Sequence, residues 1–347
     1  MKNLTRLLCC TLLPGCLISG SGISQKVDLD RYNIHCSFKD LPGKPLGDNY
    51  NTYSVEVGAP GNVLNSISPN TIDNAVGIRG LKKVTANPSF ILYFNAEDMY
   101  ISDVGVKEYV DIKKDDKGNE KSRKTSYYVQ ATYSLKCEGK CYTDKKELVY
   151  SAALGVSQKQ YTSDYMNTYK EAADYWNNNK EAIRKNLTAD IINGAVTSMS
   201  NRLSADYGYV PHSGYDILWI LNSKKHPEHE AQQSTIAKVK EEFAKMKADS
   251  SIDWLVRDMD SVLQYFNDVA ARYNKDEKGD KKMRYGAYYN RAVIYTYLDM
   301  PDKAIAEADK LIANGYDSRD GERLKKNADI LKAMLERNHK TTTHFTN

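Results

Sequence analysis

The chain has 347 residues, which allows about two domains at roughly 100–200 residues each. Hydrophobic residues make up 41% and charged residues 27%, which excludes a wholly disordered, collagenous or polytopic membrane protein. Lys and Arg number 49 against 45 Asp and Glu, and a net charge of +4 gives no electrostatic case for nucleic acid.

The first residues read as an address. Lys2 and Arg6 precede an apolar run over residues 7–18, broken at Pro14, and a small-residue stretch over 19–24. The run is shorter than the roughly 20 apolar residues that span a bilayer. The pattern predicts a signal peptide over residues 1–25, cut near Ser24 or Gln25. Leu13-Pro14-Gly15-Cys16 also resembles a bacterial lipobox, although proline before the glycine is atypical; that processing would make Cys16 a lipidated anchor. No second apolar segment reaches spanning length, so the mature chain is expected to be soluble or to touch a membrane only through an N-terminal lipid.

Residues 26–155 predict an antiparallel β domain of sandwich-like build. Tyr32, Ile34, Cys36 and Phe38 alternate with Asn33, His35, Ser37 and Lys39, and Tyr53, Val55 and Val57 continue the period of two. Residues 90–94, after Pro88, form a short apolar run suited to a buried strand. A charged stretch over 113–124 around Gly118 predicts a hairpin tip between strands near 99–112 and 125–137. Asp144-Lys145-Lys146 marks a turn before a strand at 147–153.

The cysteines beyond the leader are Cys36, Cys137 and Cys141, an odd number that allows at most one internal disulfide. If Glu138-Gly139-Lys140 is a tight turn, Cys137 and Cys141 oppose each other and can bridge. If the strand runs straight, they lie about 13 Å apart on one face and cannot. Cys36 could pair with either.

Residues 156–340 predict helices. Tyr165, Tyr169, Ala172, Ala173 and Trp176 fall at helical spacing, as do Ile183, Leu187, Ile191, Ala195, Met199 and Leu203. Pro227 marks a helix start, followed by Ile236, Val239, Phe243 and Met246. The clearest stripe is Ile252, Leu255, Met259, Val262, Phe266, Val269 and Tyr273. The apolar run over 215–221 fits either a strand returning to the sheet or a buried helix end. Residues 341–347 read as a disordered tail.

Residues 285–316 carry Tyr288 at a first aromatic position, Ala292 at a helix crossing, Tyr295 three residues on, a turn at Asp299-Met300-Pro301, then Ala304, Ala308, Leu311 and Gly315. This resembles one tetratricopeptide repeat, a helix–turn–helix of 34 residues. Arg291 stands where an apolar residue is usual, and Tyr316 near where proline often closes the repeat. The looser resemblance runs over about 251–338, with a capping helix at 320–338; residues 26–155 carry none. The resemblance implies a protein-binding helical surface with Arg284, Tyr288, Arg291 and Tyr295 as candidate contacts.

Motifs of chemistry are weak. His226-Pro227-Glu228-His229-Glu230 lacks HExxH order and reads as a polar helix start. No GxGxxG or P-loop follows a strand, and no GxSxG is present. No catalytic residue, cofactor or metal ligand is expected. Tyrosine is over-used, 26 against 6 Phe and 3 Trp, and Tyr207, Tyr209 and Tyr215 around Gly208 and Pro211 read as an exposed cluster. The expected fold class is α+β. The expected function is a non-enzymatic adaptor, exported to the periplasm or outer membrane of a Gram-negative bacterium, with a protein partner in the envelope. The alternative is a glycan-binding accessory protein of an outer-membrane uptake system.

Overall fold

The computed structural model describes residues 26–346. The leader and Cys16 lie outside the described residues. The chain runs β1 (Leu29–Asp40), β2 (Thr52–Gly58), α1 (Gly61–Leu64), α2 (Pro69–Ala75), β3 (Lys82–Lys83) and β4 (Phe90–Ala96). It continues through β5 (Tyr100–Lys114), β6 (Glu120–Leu135), β7 (Cys137–Thr143), β8 (Leu148–Ala153) and β9 (Val156–Thr162). Then come α3 (Tyr169–Tyr207), β10 (Val210–Leu221), α4 (His229–Phe243), α5 (Asp253–Arg272), α6 (Lys278–Tyr297), α7 (Pro301–Ala313) and α8 (Ser318–Arg337). The fold class is α+β.

One core lies between a five-stranded sheet, ordered β3-β2-β4-β7-β8, and the 39-residue helix α3. Phe90, Leu92 and Phe94 of β4 bury against Ile192, Val196, Met199 and Leu203 of α3. Thr168 opens the helix with a capping box to Glu171, which satisfies free N–H groups of the first turn. A Cβ on Gly139 would stand 2.8 Å from Met199 Sδ, so glycine lets the helix lie close on β7. The sheet is mixed, because β2 runs parallel to both β3 and β4. This corrects the expected antiparallel sandwich: α1, α2 and β3 carry the chain back for a parallel pairing that alternation alone does not encode. A second sheet, β5-β6-β9, is antiparallel, and its β5–β6 hairpin forms a long arm closed by a turn around Gly118, whose φ is 83°.

The other core is built by α4 to α8 around a two-stranded ribbon. β1 pairs antiparallel with β10 along its whole length, from Leu29↔Leu221 to Asp40↔Val210. Ile34, Cys36, Leu218 and Ile220 pack with Phe243, Phe266 and Tyr289. The run over 215–221 is therefore strand. The cores do not follow the expected boundary between 155 and 156. β1 belongs with the helices, and α3 belongs with the sheet, because a period shows which face is buried and not what buries it.

Both edges of this ribbon are covered. Asn290, fully buried, accepts from Trp219 N (2.7 Å) and donates to Trp219 O (2.8 Å), as a neighbouring strand would. Gln232 accepts from Leu221 N, and Gln233 donates to Leu221 O (3.0 Å). On the other edge Lys39 N donates to Thr343 O (3.0 Å), and His344 Nε2 donates to Ser37 O (2.7 Å). His344 Nδ1 lies 2.8 Å from the buried Asp299 carboxylate, which also accepts from Thr342 Oγ1, Thr343 N and Thr343 Oγ1. Residues 341–346 are thus docked, which corrects the expected disordered tail. Asp299, at φ 56°, supplies the acceptors from the turn between α6 and α7.

Candidate functional site

A groove of about 370 Å³ opens between α5, α6 and the start of α7. The stripe of α5 turns Leu255, Met259, Val262 and Phe266 into the core. Asp260, Gln264 and Asn267 follow at helical spacing on an adjoining face and line the groove. α6 is buried almost all round, and it contributes Arg291 and Tyr295; Lys303 on α7 closes the third side.

Arg291 is 9% exposed. Its guanidinium pairs with buried Glu307 (3.1 Å) and donates to Asn267 Oδ1 (3.0 Å). Lys310 adds a second cation to Glu307 (2.8 Å). Arg291 Nε and Glu307 Oε2 have no hydrogen-bond partner. Lys303 Nζ and the Arg291 guanidinium lie 5.5 Å and 5.9 Å from the Tyr295 ring centroid. The groove therefore combines an exposed lysine, an aspartate, a buried arginine already paired with Glu307, a ring and two amides. That arrangement holds a polar group by hydrogen bonding and rests apolar atoms on the ring.

Of the candidate contacts, Arg291 and Tyr295 meet in this groove. Arg284 does not: it donates to Asn314 Oδ1 (2.8 Å) and to the carbonyls of Tyr273 (2.6 Å) and Lys275 (2.8 Å), tying the α5–α6 loop to the end of α7. Tyr288 is half-buried against the helical core. Tyr207, Tyr209 and Tyr215 form no exposed cluster. Tyr207 is buried beside Phe90 (5.3 Å) with its hydroxyl on Val149 O (2.9 Å). Tyr209 is buried edge-on to Phe345 (5.5 Å). Tyr215 alone is open, at 78% exposure. The loop glycine and proline mark a turn, but the sheet covers Tyr207, the last residue of α3, and the docked C-terminal segment covers Tyr209.

The three described cysteines are free and buried. β7 runs straight through Cys137 and Cys141, so they do not bridge, and Cys36 sits in the other core. Burial pushes each thiol up to about 12, which suppresses the reactive thiolate; Asp216 adds to the effect at Cys36. Glu228 is a buried latch. It accepts from Arg272, Tyr265 (3.2 Å) and Tyr273 (3.4 Å), joining the start of α4 to the end of α5. Burial, then the Glu228 charge, raises Tyr265 and pushes Tyr273 up to about 12. His226 beside it accepts from Glu228 N (3.2 Å), and burial lowers its pKa. Among the described residues no group of three His, Cys, Asp or Glu is placed to hold a metal, and no helix is long and apolar enough to cross a membrane.

Sequence reasoning missed one surface. Tyr109 and Tyr128 on the β5–β6 arm meet Tyr165 at 5.0 and 5.5 Å between ring centroids. Tyr165 precedes α3 and does not share its stripe, although its spacing fits one. The alternation of Tyr109 and Tyr128 within their strands was the available signal.

No family model matches the chain, and no curated protein matches it. Solved structures similar to it include a chain described as a neuraminyllactose-binding hemagglutinin homolog from Helicobacter pylori. The two share 10% identity over 57% of this chain and 95% of that one, with a TM-score of 0.23. A likeness that loose carries no argument about fold or ligand.

Proposed function

We propose that this chain is an exported, non-enzymatic binding protein of the cell envelope of a Gram-negative bacterium, and that it holds a partner protein in the groove between α5, α6 and α7. The observation that carries the reading is the groove itself, with a buried, incompletely satisfied arginine in its wall and an exposed lysine over the Tyr295 ring at its mouth. The leader-like start and the tetratricopeptide-like spacing of Ala292, Ala304 and Ala308, all buried where α6 and α7 pack, support it. The test is affinity purification from crosslinked envelopes, comparing the parent chain with Lys303→Glu. Arg291 is the wrong residue to reverse, since an acid there would face buried Glu307. Lys303 is exposed, so its reversal leaves the fold alone. A defined partner that Lys303→Glu loses supports the groove. A partner retained by that variant removes the groove from the interface, and no partner above background removes the adaptor reading.

The tyrosines of the arm favour a second reading, a glycan-binding accessory protein. Exposed rings stack on sugar faces while their hydroxyls stay wet. Oligosaccharide binding by the purified protein that is lost in Tyr109→Ala or Tyr165→Ala supports it. No binding across a broad glycan panel removes it.

A further inference from the structure

β5 is an edge strand, with β6 on one side only. Its pairing with β6 runs without a shift from Gly105↔Gln130 to Lys113↔Ser122. Which main-chain groups face outward follows from β6. Tyr127 exchanges both of its hydrogen bonds with Met166 (2.8 and 2.7 Å), on the side away from β5. Val129 likewise donates to Ser163 Oγ (2.8 Å) and accepts from Ser163 N (2.9 Å). These residues stand opposite Glu108 and Val106. Opposed residues in an antiparallel ladder exchange both bonds or neither. Val106 and Glu108 therefore turn their N–H and C=O groups outward, and so do Val110 and Ile112 by alternation. No described residue covers this row. An open row of this kind is a template for another strand.

We propose that the occupant is β5 of a second copy of this chain, paired antiparallel across a two-fold axis at Tyr109. In that register Val106 faces Ile112 and Glu108 faces Val110, so outward groups meet outward groups and exchange about eight main-chain hydrogen bonds. Lys107 faces Asp111 twice, and Tyr109 faces its own copy. The choice of axis is narrow. An axis at Glu108 opposes two glutamates, an axis at Val110 opposes Lys107 and Lys113, and axes at Lys107 and Asp111 oppose each residue to itself. Among axes that pair five or more residues of the unshifted stretch over 105–113, only the Tyr109 axis satisfies the hydrogen-bond parity with opposite charges opposed. The paired stretch ends where the strand does: at the bulge between Ser102 and Gly105, with Asp103 at φ 52°, and at the turn after Lys114. The result is a six-stranded sheet, with the arm tyrosines of both copies on one face.

Sedimentation equilibrium of the purified chain tests this. A concentration-dependent dimer is expected. Lys107→Asp or Asp111→Lys alone sets like charges opposite each other twice and raises the dissociation constant about tenfold or more; the double exchange returns it to within about threefold of the parent. Both positions lie on the arm, outside either core, and circular dichroism of each variant checks the fold. Independently, Tyr109→Cys is expected to oxidise to a covalent dimer, because residues at the axis approach within disulfide reach, while Ile112→Cys is not. The three described cysteines are buried and do not interfere. A monomer throughout the micromolar range, a dimer indifferent to the charge exchange, or equal crosslinking at both cysteine positions overturns the proposal.

Discussion

Two long antiparallel strand pairs among the described residues, the β1–β10 ribbon and the β5–β6 arm of the three-stranded sheet, have opposite fates. The β1–β10 ribbon has 12 residues in each strand, and the β5–β6 arm has 15 and 16. Both carry alternating side chains. They differ in what meets their edges. Asn290 and Gln232 complete β10, and Thr343 and His344 complete β1. Among the described residues the arm has no such completion along the outer row of β5. A ribbon becomes core when side-chain amides and a returning segment satisfy its edges; left open, it becomes a surface on offer.

The comparison can be broken by removing those completions, and the largest effect is expected at Asn290. Asn290→Ala strands the N–H and C=O of Trp219, and urea unfolding is expected to show a loss of about 3 kcal/mol. Deleting residues 341–347 bares the edge of β1 and removes the donors of the Asp299 carboxylate. A loss of about 2 kcal/mol is expected, together with new self-association of the variant in sedimentation.

A pH titration sharpens the comparison at the end of the ribbon. Burial holds the pKa of His226 below its ordinary value of 6.5, so the unfolded chain takes up the proton first as pH falls. Its stabilisation is complete above pH 6.5 and is lost as pH drops through the lower folded value. The melting temperature is expected to fall below pH 6.5 and to flatten in His226→Gln. The smallest effect belongs to the arm. Ile112→Thr is expected to change stability by under about 0.5 kcal/mol, because the residue is exposed in a ribbon outside both cores. Equal losses at Asn290 and Ile112 would dissolve the distinction.

Much of this architecture was legible in the residues. The period of two over 32–38 and over 129–135 marks strands, the charged run around Gly118 marks the arm's tip, and the stripe from Ile252 to Val269 marks α5. The helix–turn–helix about Pro301 and the placement of Arg291 and Tyr295 in one groove were also within reach. Partnership was not. Cys36 and Cys137 look alike in sequence, yet they lie in different cores. Tyr209 looks like an open loop ring until Phe345 closes on it from the far end of the chain. Arg291 reads as a surface charge, and only Glu307 on the next helix shows why it is buried. In each case the deciding neighbour is remote in sequence, where neither period nor turn chemistry reaches.

The pairing of β1 also constrains how the molecule comes together. Leu29 meets Leu221, and Lys39 is completed by Thr343, almost at the other end of the chain. A polypeptide emerges N-terminus first, so this early strand must wait, unpaired, until β10 has been made, and its outer edge waits longer still for Thr343 and His344. Contacts of such long sequence separation close slowly. The sheet around α3 can assemble from one continuous stretch, while the helical core cannot finish until β1 and the distant β10 are side by side.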